Sequence, residues 1–164
     1  MWNEKVKMRK PSILLIGLLF GFILATVASA EQKATRDECV TMCKAAAKML
    51  MENKTAGIAE IANSKGKFVW KDSYVFLMNM EGKMLAHPFK PELTRQGSLF
   101  KLTDENRTHP KPIFVEFVDV AKKNGEGWVD YKWPKPGEKI PSNKFTFIYR
   151  VGYTDMLVGA GTYK

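Results

Sequence analysis

The sequence predicts an α+β domain, a five-stranded antiparallel sheet with a long N-terminal helix packed on one face. Three observations carry this prediction. Apolar residues recur at helical spacing from Arg36 to about Ala62. Five later segments read as strands, bounded by clusters of Gly, Pro, Asn and Asp. The order is long helix, two strands, an irregular wall with a short helix, then three strands, for which an antiparallel meander is the simplest packing. With 164 residues there is enough chain for one domain with a real core and not for two.

The first thirty residues read as a targeting segment. A basic stretch ends at Lys10, Ser12–Ala28 is apolar, and Ala28-Ser29-Ala30 offers the small residues that a signal peptidase reads. Residues 1–30 are therefore expected to be a cleaved signal peptide, with an uncleaved membrane anchor as the second reading, and 31–164 one folded domain. Both readings place that domain outside the cytoplasm, in the periplasm or secreted, or anchored to the inner membrane.

Thr35 and Glu38 have the spacing of a capping box and start the helix. Val40, Cys43, Ala47, Leu50, Ile58 and Ile61 lie close to one of its faces. Cys39 and Cys43 are the two cysteines of the chain. An exported location permits a disulfide, but regular helical geometry sets Cβ atoms four residues apart at roughly 5–6 Å, beyond the roughly 3.5–4.5 Å a bridge needs. A local disulfide and a pair of helix-face thiols both stay open; a thiol redox role lacks the Cys-x-x-Cys spacing.

Tyr74–Met80 and Lys83–His87 form a hairpin about Glu81-Gly82. An irregular, proline-rich segment follows from His87 to about Pro112, with Phe89, Leu93, Leu99, Phe100 and Leu102 as anchors, as expected of a packed loop that walls a site. Pro112–Lys123 is a short amphipathic helix ended by Asn124-Gly125-Glu126-Gly127. The last strands are Trp128–Trp133, Lys144–Val151 and Met156–Tyr163.

Alternation places Tyr131 and Trp133 on one face of their strand, each an apolar body with a polar tip suited to a small pocket. Trp70 and Tyr74, at the start of the first strand, read the same way. In Lys144–Val151 one face is Phe145, Phe147, Tyr149 and Val151, and the other is Lys144, Thr146, Ile148 and Arg150. Arg150 is the candidate to grip a carboxylate through paired donors. His87, at a strand end before Pro88, suits a hydrogen bond to a ligand or a loop carbonyl.

The +9 formal charge leaves +6 on Glu31–Lys164, because Lys5, Lys7, Arg9 and Lys10 against Glu4 supply the rest. The lysines are scattered among acids with no stacking aromatics in RNA-binding order, so no nucleic acid partner is expected. No nucleophile elbow, phosphate loop, dinucleotide fingerprint or His-Glu-x-x-His occurs. The reading is therefore of a non-enzyme, with no catalytic residue, metal or cofactor.

Taken in order, Phe68–Phe76 (FVWKDSYVF), Gly82–Pro88 (GKMLAHP) and Gly127–Pro134 (GWVDYKWP), continued by Lys144–Arg150 and Asp155–Tyr163, resemble the single Cache domain proteins (Cache type 2), extracellular small-molecule sensor modules of bacteria. The resemblance covers nearly all of 31–164. It implies a PAS-like sheet, a pocket between sheet and irregular segment, and a short organic acid such as acetate, propionate or pyruvate as ligand. It maps the pocket aromatics to Trp70, Tyr74, Tyr131 and Trp133, the turn-side histidine to His87, and the carboxylate-gripping cation to Arg150 or Lys144. It also implies a signalling role beside a membrane receptor or histidine kinase, in a freestanding exported form. The alternative is a module of the same fold that regulates such a receptor through protein contact.

Overall fold

The computed structural model describes residues 32–164; the expected signal segment lies outside them. Three helices, α1 (Arg36–Glu52), α2 (Lys54–Ala62) and α3 (Ile113–Asn124), accompany six strands. The strands are β1 (Val69–Trp70), β2 (Ser73–Asn79), β3 (Met84–Ala86), β4 (Glu126–Pro134), β5 (Pro141–Arg150) and β6 (Met156–Tyr163). The sheet is antiparallel in order β1-β2-β6-β5-β4, with β3 also on β2, so the last strand in sequence is central. The α+β class and the antiparallel sheet are as the sequence predicts, with β1 as an added sixth strand. Lys71, at φ 49°, turns Val69–Trp70 back onto Ser73–Tyr74. A turn with no glycine gave the sequence no hairpin signal there.

The expected single N-terminal helix is two. Asn53 takes an extended backbone (φ −151°, ψ 97°), and its side chain accepts from Ala56 N at 3.0 Å, capping α2. The break folds α2 back onto α1. Gly57 sits so close to Leu50 that a Cβ would lie 2.8 Å from Leu50 Cδ2. The capping box of Thr35 and Glu38 is present as predicted.

The sheet is covered on both faces. On one, Cys39, Cys43, Ala47, Leu50 and Ile61 of α1 and α2 pack on Val75, Leu77, Phe147, Val158 and Ala160. On the other, Ile113, Phe114 and Phe117 of α3, with Leu93 and Leu99 of the irregular segment, pack on Phe76, Val129, Ile148 and Leu157. Asp104 fastens the irregular segment to the outer strand. Its carboxylate accepts from Lys132 N of β4 (2.9 Å) and from Lys111 N (2.8 Å), while Glu105 N donates to Lys132 O (3.1 Å). The edge of β4 is thereby covered as well as held.

Cys39 and Cys43 are both free and fully buried, so the local disulfide that the sequence left open is not formed. The helix stays regular through both positions, and its geometry holds the sulfurs apart. Burial pushes the Cys39 thiol up to about 11 and raises Cys43 well above the usual thiol range, which leaves both as neutral, unreactive core groups. A thiol reagent is expected to titrate two thiols after denaturation and none rapidly in the native protein. Asn53→Ala should lower the unfolding free energy in urea by about 1 kcal/mol through loss of the α2 cap.

Candidate functional site

The face of the sheet under α3 carries a polar patch at one end, where its strands converge. Tyr74 comes from β2, Tyr163 from β6, Lys144 and Thr146 from β5, and Tyr131 and Trp133 from β4. Strand register explains the grouping. Lys144 stands between Tyr131 and Tyr163, and Thr146 lies opposite Gly161. All these residues share one side of the pleat.

Gly161 makes the arrangement sterically feasible. A Cβ there would fall 2.5 Å from Lys144 Cε and 2.4 Å from Thr146 Oγ1. The lysine chain therefore crosses β6 over a bare backbone position and brings its ammonium 4.2 Å above the Tyr74 ring and 4.7 Å above Tyr163. Lys144 is only 1 % exposed and takes part in no ion pair among the described residues. Burial pulls it down from the usual lysine range to about 7. Two hydroxyls are tied in place: Tyr131 OH bonds Thr146 Oγ1 at 2.9 Å, and Tyr163 OH donates to Pro134 O at 2.9 Å.

His87 leaves β3 and is buried against Tyr74, with ring centroids 4.8 Å apart. Its Nδ1 accepts from Phe89 N (3.2 Å) and Lys90 N (3.0 Å), so the neutral ring carries its hydrogen on Nε2. Burial, helped by Lys144 and Lys90, holds the imidazole down to about 3. Nε2–H has no protein acceptor among the hydrogen bonds of the described residues.

A narrow hollow beside them is lined by Tyr74, His87, Phe117, Tyr131 and Trp133 among others and measures about 10 Å³, room for one water. Outside it lies a vestibule of about 220 Å³. Tyr74, His87 and Trp133 line both spaces and form the partition between them. Lys90 and Lys135 stand in the vestibule wall, with Lys90 Nζ 4.3 Å over Trp133 and 3.8 Å from Glu105. No group of three His, Cys, Asp or Glu among the described residues is placed to hold a metal.

Five of the seven residues singled out from sequence, Tyr74, His87, Tyr131, Trp133 and Lys144, are thus brought together. Trp70 is not. It packs on the opposite face, beside Asp37, Glu38, Thr41 and Met42 of the α1 region. Arg150 is not either. It shares the face of Lys144 but sits six residues along β5, about 20 Å away at strand rise, with Nε 3.4 Å from Thr154 O. Parity alone could not choose between the two ends of the strand; the position of His87 and the aromatics chooses Lys144. Sequence reasoning missed Tyr163, Thr146 as the anchor for Tyr131, Gly161 and Lys90. Pairing Lys144 with Tyr163 requires the β5–β6 register, which no local signal supplies.

Comparison with known proteins bears on the family and the fold. A family model described as Cache domain matches residues 44–164. The chemotaxis protein McpP of Pseudomonas putida is 32 % identical over 92 residues, 56 % of this chain and 16 % of that protein. The sensor histidine kinase MctS of Rhizobium johnstonii is 28 % identical over 93 residues, 57 % of this chain and 19 % of that one. The match thus spans less than a fifth of either relative. A Cache chemosensory domain solved in a study of carboxylic acid recognition superimposes with TM-score 0.66 at 21 % identity, over 77 % of this chain and 91 % of that chain. The periplasmic sensor domain of a chemotaxis protein does so with TM-score 0.61 at 26 % identity, over 76 % and 86 %. With the family pattern running through most of the described residues and the fold shared, this chain belongs to the Cache domain family.

Proposed function

We propose that the protein is an extracytoplasmic sensing module that binds a short-chain carboxylate, such as acetate, propionate or pyruvate, and contributes to signal transduction. The observation that carries this reading is the buried Lys144 ammonium, which has no carboxylate partner among the described residues. A buried cation is costly unless an anion meets it, and a guest carboxylate supplies one. His87 Nε2–H offers a neutral second donor. Tyr74, Tyr131, Trp133 and Phe117 enclose a short carbon chain, which limits the guest to a few heavy atoms. The relatives being a chemotaxis protein and a histidine kinase, and the study of carboxylic acid recognition behind one similar structure, support the same reading. The basic, apolar and small-residue order of residues 1–30 supports export.

Admitting the acid requires Tyr74, His87 and Trp133 to part, because the inner hollow holds only a water. Lys90 and Lys135 give the vestibule a positive wall that favours an anion on its way in. The narrowness of the hollow is also what favours the second reading, a module that contacts a membrane receptor or kinase without a guest. Neither reading assigns a catalytic step.

Thermal melts of ligand-free protein across C2–C4 acids decide between them: stabilisation by at least one is expected, and none with any acid would favour the contact module. Lys144→Met should abolish that stabilisation while leaving the fold intact, since removing a lone buried charge relieves desolvation. Arg150→Ala should bind as the unaltered protein does. Because the empty site holds the lysine near 7, carboxylate binding takes up a proton above that pH, and affinity should fall as pH rises from 7 toward 10. The sign for the free protein is opposite. Between about 7 and the ordinary lysine value the unfolded chain binds the extra proton, so the Lys144 contribution to stability increases with pH in that window.

A further inference from the structure

Two shallow grooves adjoin where β4 ends and β5 begins. One, of about 380 Å³, is lined by Arg107, Lys132, Lys139 and Ile140 among others. The second, of about 170 Å³, is lined by Lys132, Asn143, Phe145 and Lys164 among others. Lys132 and Asn106 belong to both, so the grooves form one continuous surface. Arg36 of α1 extends it. Its guanidinium lies 4.8 Å over the Phe145 ring, and Lys164 Nζ lies 5.2 Å over the same ring.

This surface has cations to spare. Arg36, Arg107, Lys132 and Lys139 are exposed and take part in no ion pair among the described residues. The acids beside them are already taken. Asp104 accepts from the backbone N–H groups of Lys132 and Lys111, Asp130 pairs with Lys111 at 3.0 Å, and Glu105 pairs with Lys90 at 3.8 Å. Asp37, next to Arg36 in sequence, lines a separate groove with Trp70. Among the cations, Ile140 is 77 % exposed. Unpaired cations around an exposed branched side chain suit a partner that offers anions at its surface and hydrocarbon just beneath.

The path of the chain points to the same partner. Gln32, the first described residue, lies two before Ala34, whose carbonyl accepts from Thr162 Oγ1. Lys164, two residues beyond Thr162, donates its backbone N–H to Asn143 O at 3.0 Å. The segment that precedes α1 therefore enters beside the basic surface. The apolar run Ser12–Ala28 is joined to Gln32 by a link that spans at most about 14 Å. A bilayer that takes up this run is within reach of the basic grooves.

We propose that the surface formed by Arg36, Arg107, Lys132, Lys139 and Ile140 docks on an anionic phospholipid bilayer, with the cations on headgroup phosphates and Ile140 in the apolar layer below them. The docking is independent of a guest in the pocket. It sets the start of β5 at the bilayer and leaves the fully exposed Tyr153, just past the other end of that strand, roughly 30 Å away.

The test uses the full-length chain, expressed with residues 1–30 in place. The form that the cell releases is added to vesicles; a chain that keeps the apolar run is reconstituted in them. An NBD label is attached at Ile140→Cys, the native cysteines being buried. Its emission should rise with vesicles of phosphatidylcholine and phosphatidylglycerol, stay low with phosphatidylcholine alone, and fall back in about 0.5 M salt. Each cation at such a surface contributes about fivefold to partitioning. Lys132→Gln with Lys139→Gln should therefore weaken partitioning of the released chain about twentyfold, or remove the emission rise in the reconstituted one. Arg36→Gln with Arg107→Gln should do the same. Lys122→Gln with Lys123→Gln, an equal loss of charge in the last turn of α3, should change nothing, and a label at Tyr153→Cys should not respond. No rise with phosphatidylglycerol, an equal loss in the Lys122 and Lys123 variant, or an equal rise at Tyr153 would overturn the proposal. Binding of polyglutamate without a response to vesicles would assign the surface to an acidic protein and overturn it too. None of these readouts involves a carboxylic acid guest, so the result stands apart from the carboxylate reading.

Discussion

A lysine ammonium placed where neither water nor a carboxylate reaches it is the constraint on which the rest of this domain turns. Desolvation of such a charge costs several kcal/mol, and the structure offsets it with what lies around Lys144. Two tyrosine rings offer their faces, and a glycine in the central strand removes the obstacle beneath the lysine chain. The offset is partial, which is why the amine is held near 7.

The two faces of the sheet divide the work. The face under α1 and α2 is an apolar core of small and branched side chains together with Phe68 and Phe147, in which Cys39 and Cys43 serve as packing groups. The other face gathers Tyr74, Tyr131 and Trp133, and there the cover is a short helix and an irregular segment instead of a long helix. Such a cover is easier to move. It is held along the outer strand by Asp104, while at the vestibule the contacts are the 3.8 Å Lys90–Glu105 pair and the stacking of Lys90 on Trp133. Half-exposed pairs of that kind contribute little to stability, so opening the partition there asks less of the fold than opening it along β4.

How much of this was legible in the chain depends on whether the signal was local. The capping box at Thr35, the short amphipathic helix, the three C-terminal strands and the shared face of Tyr131 and Trp133 all come from residues near one another in sequence, and the structure has each of them. The break at Asn53 was missed because an Asn in a helical run is a weak stop by propensity alone. It becomes a cap only when Gly57 lets the second helix lie against Leu50. The hairpin at Lys71 was missed for a related reason, since its turn lacks the glycine that usually reports one.

Alternation along a strand determined by itself that Lys144, Thr146, Ile148 and Arg150 face one way, because side chains point to opposite sides of the pleat in turn. Which end of that row meets the aromatics was beyond it. That Lys144 and not Arg150 stands beside the aromatics was decided by the tertiary structure, through β6 running between β2 and β5 and bringing Tyr74, Gly161 and Tyr163 to the lysine end. Periodicity reports direction within a segment, whereas a binding site is made by register between segments that lie far apart in the chain.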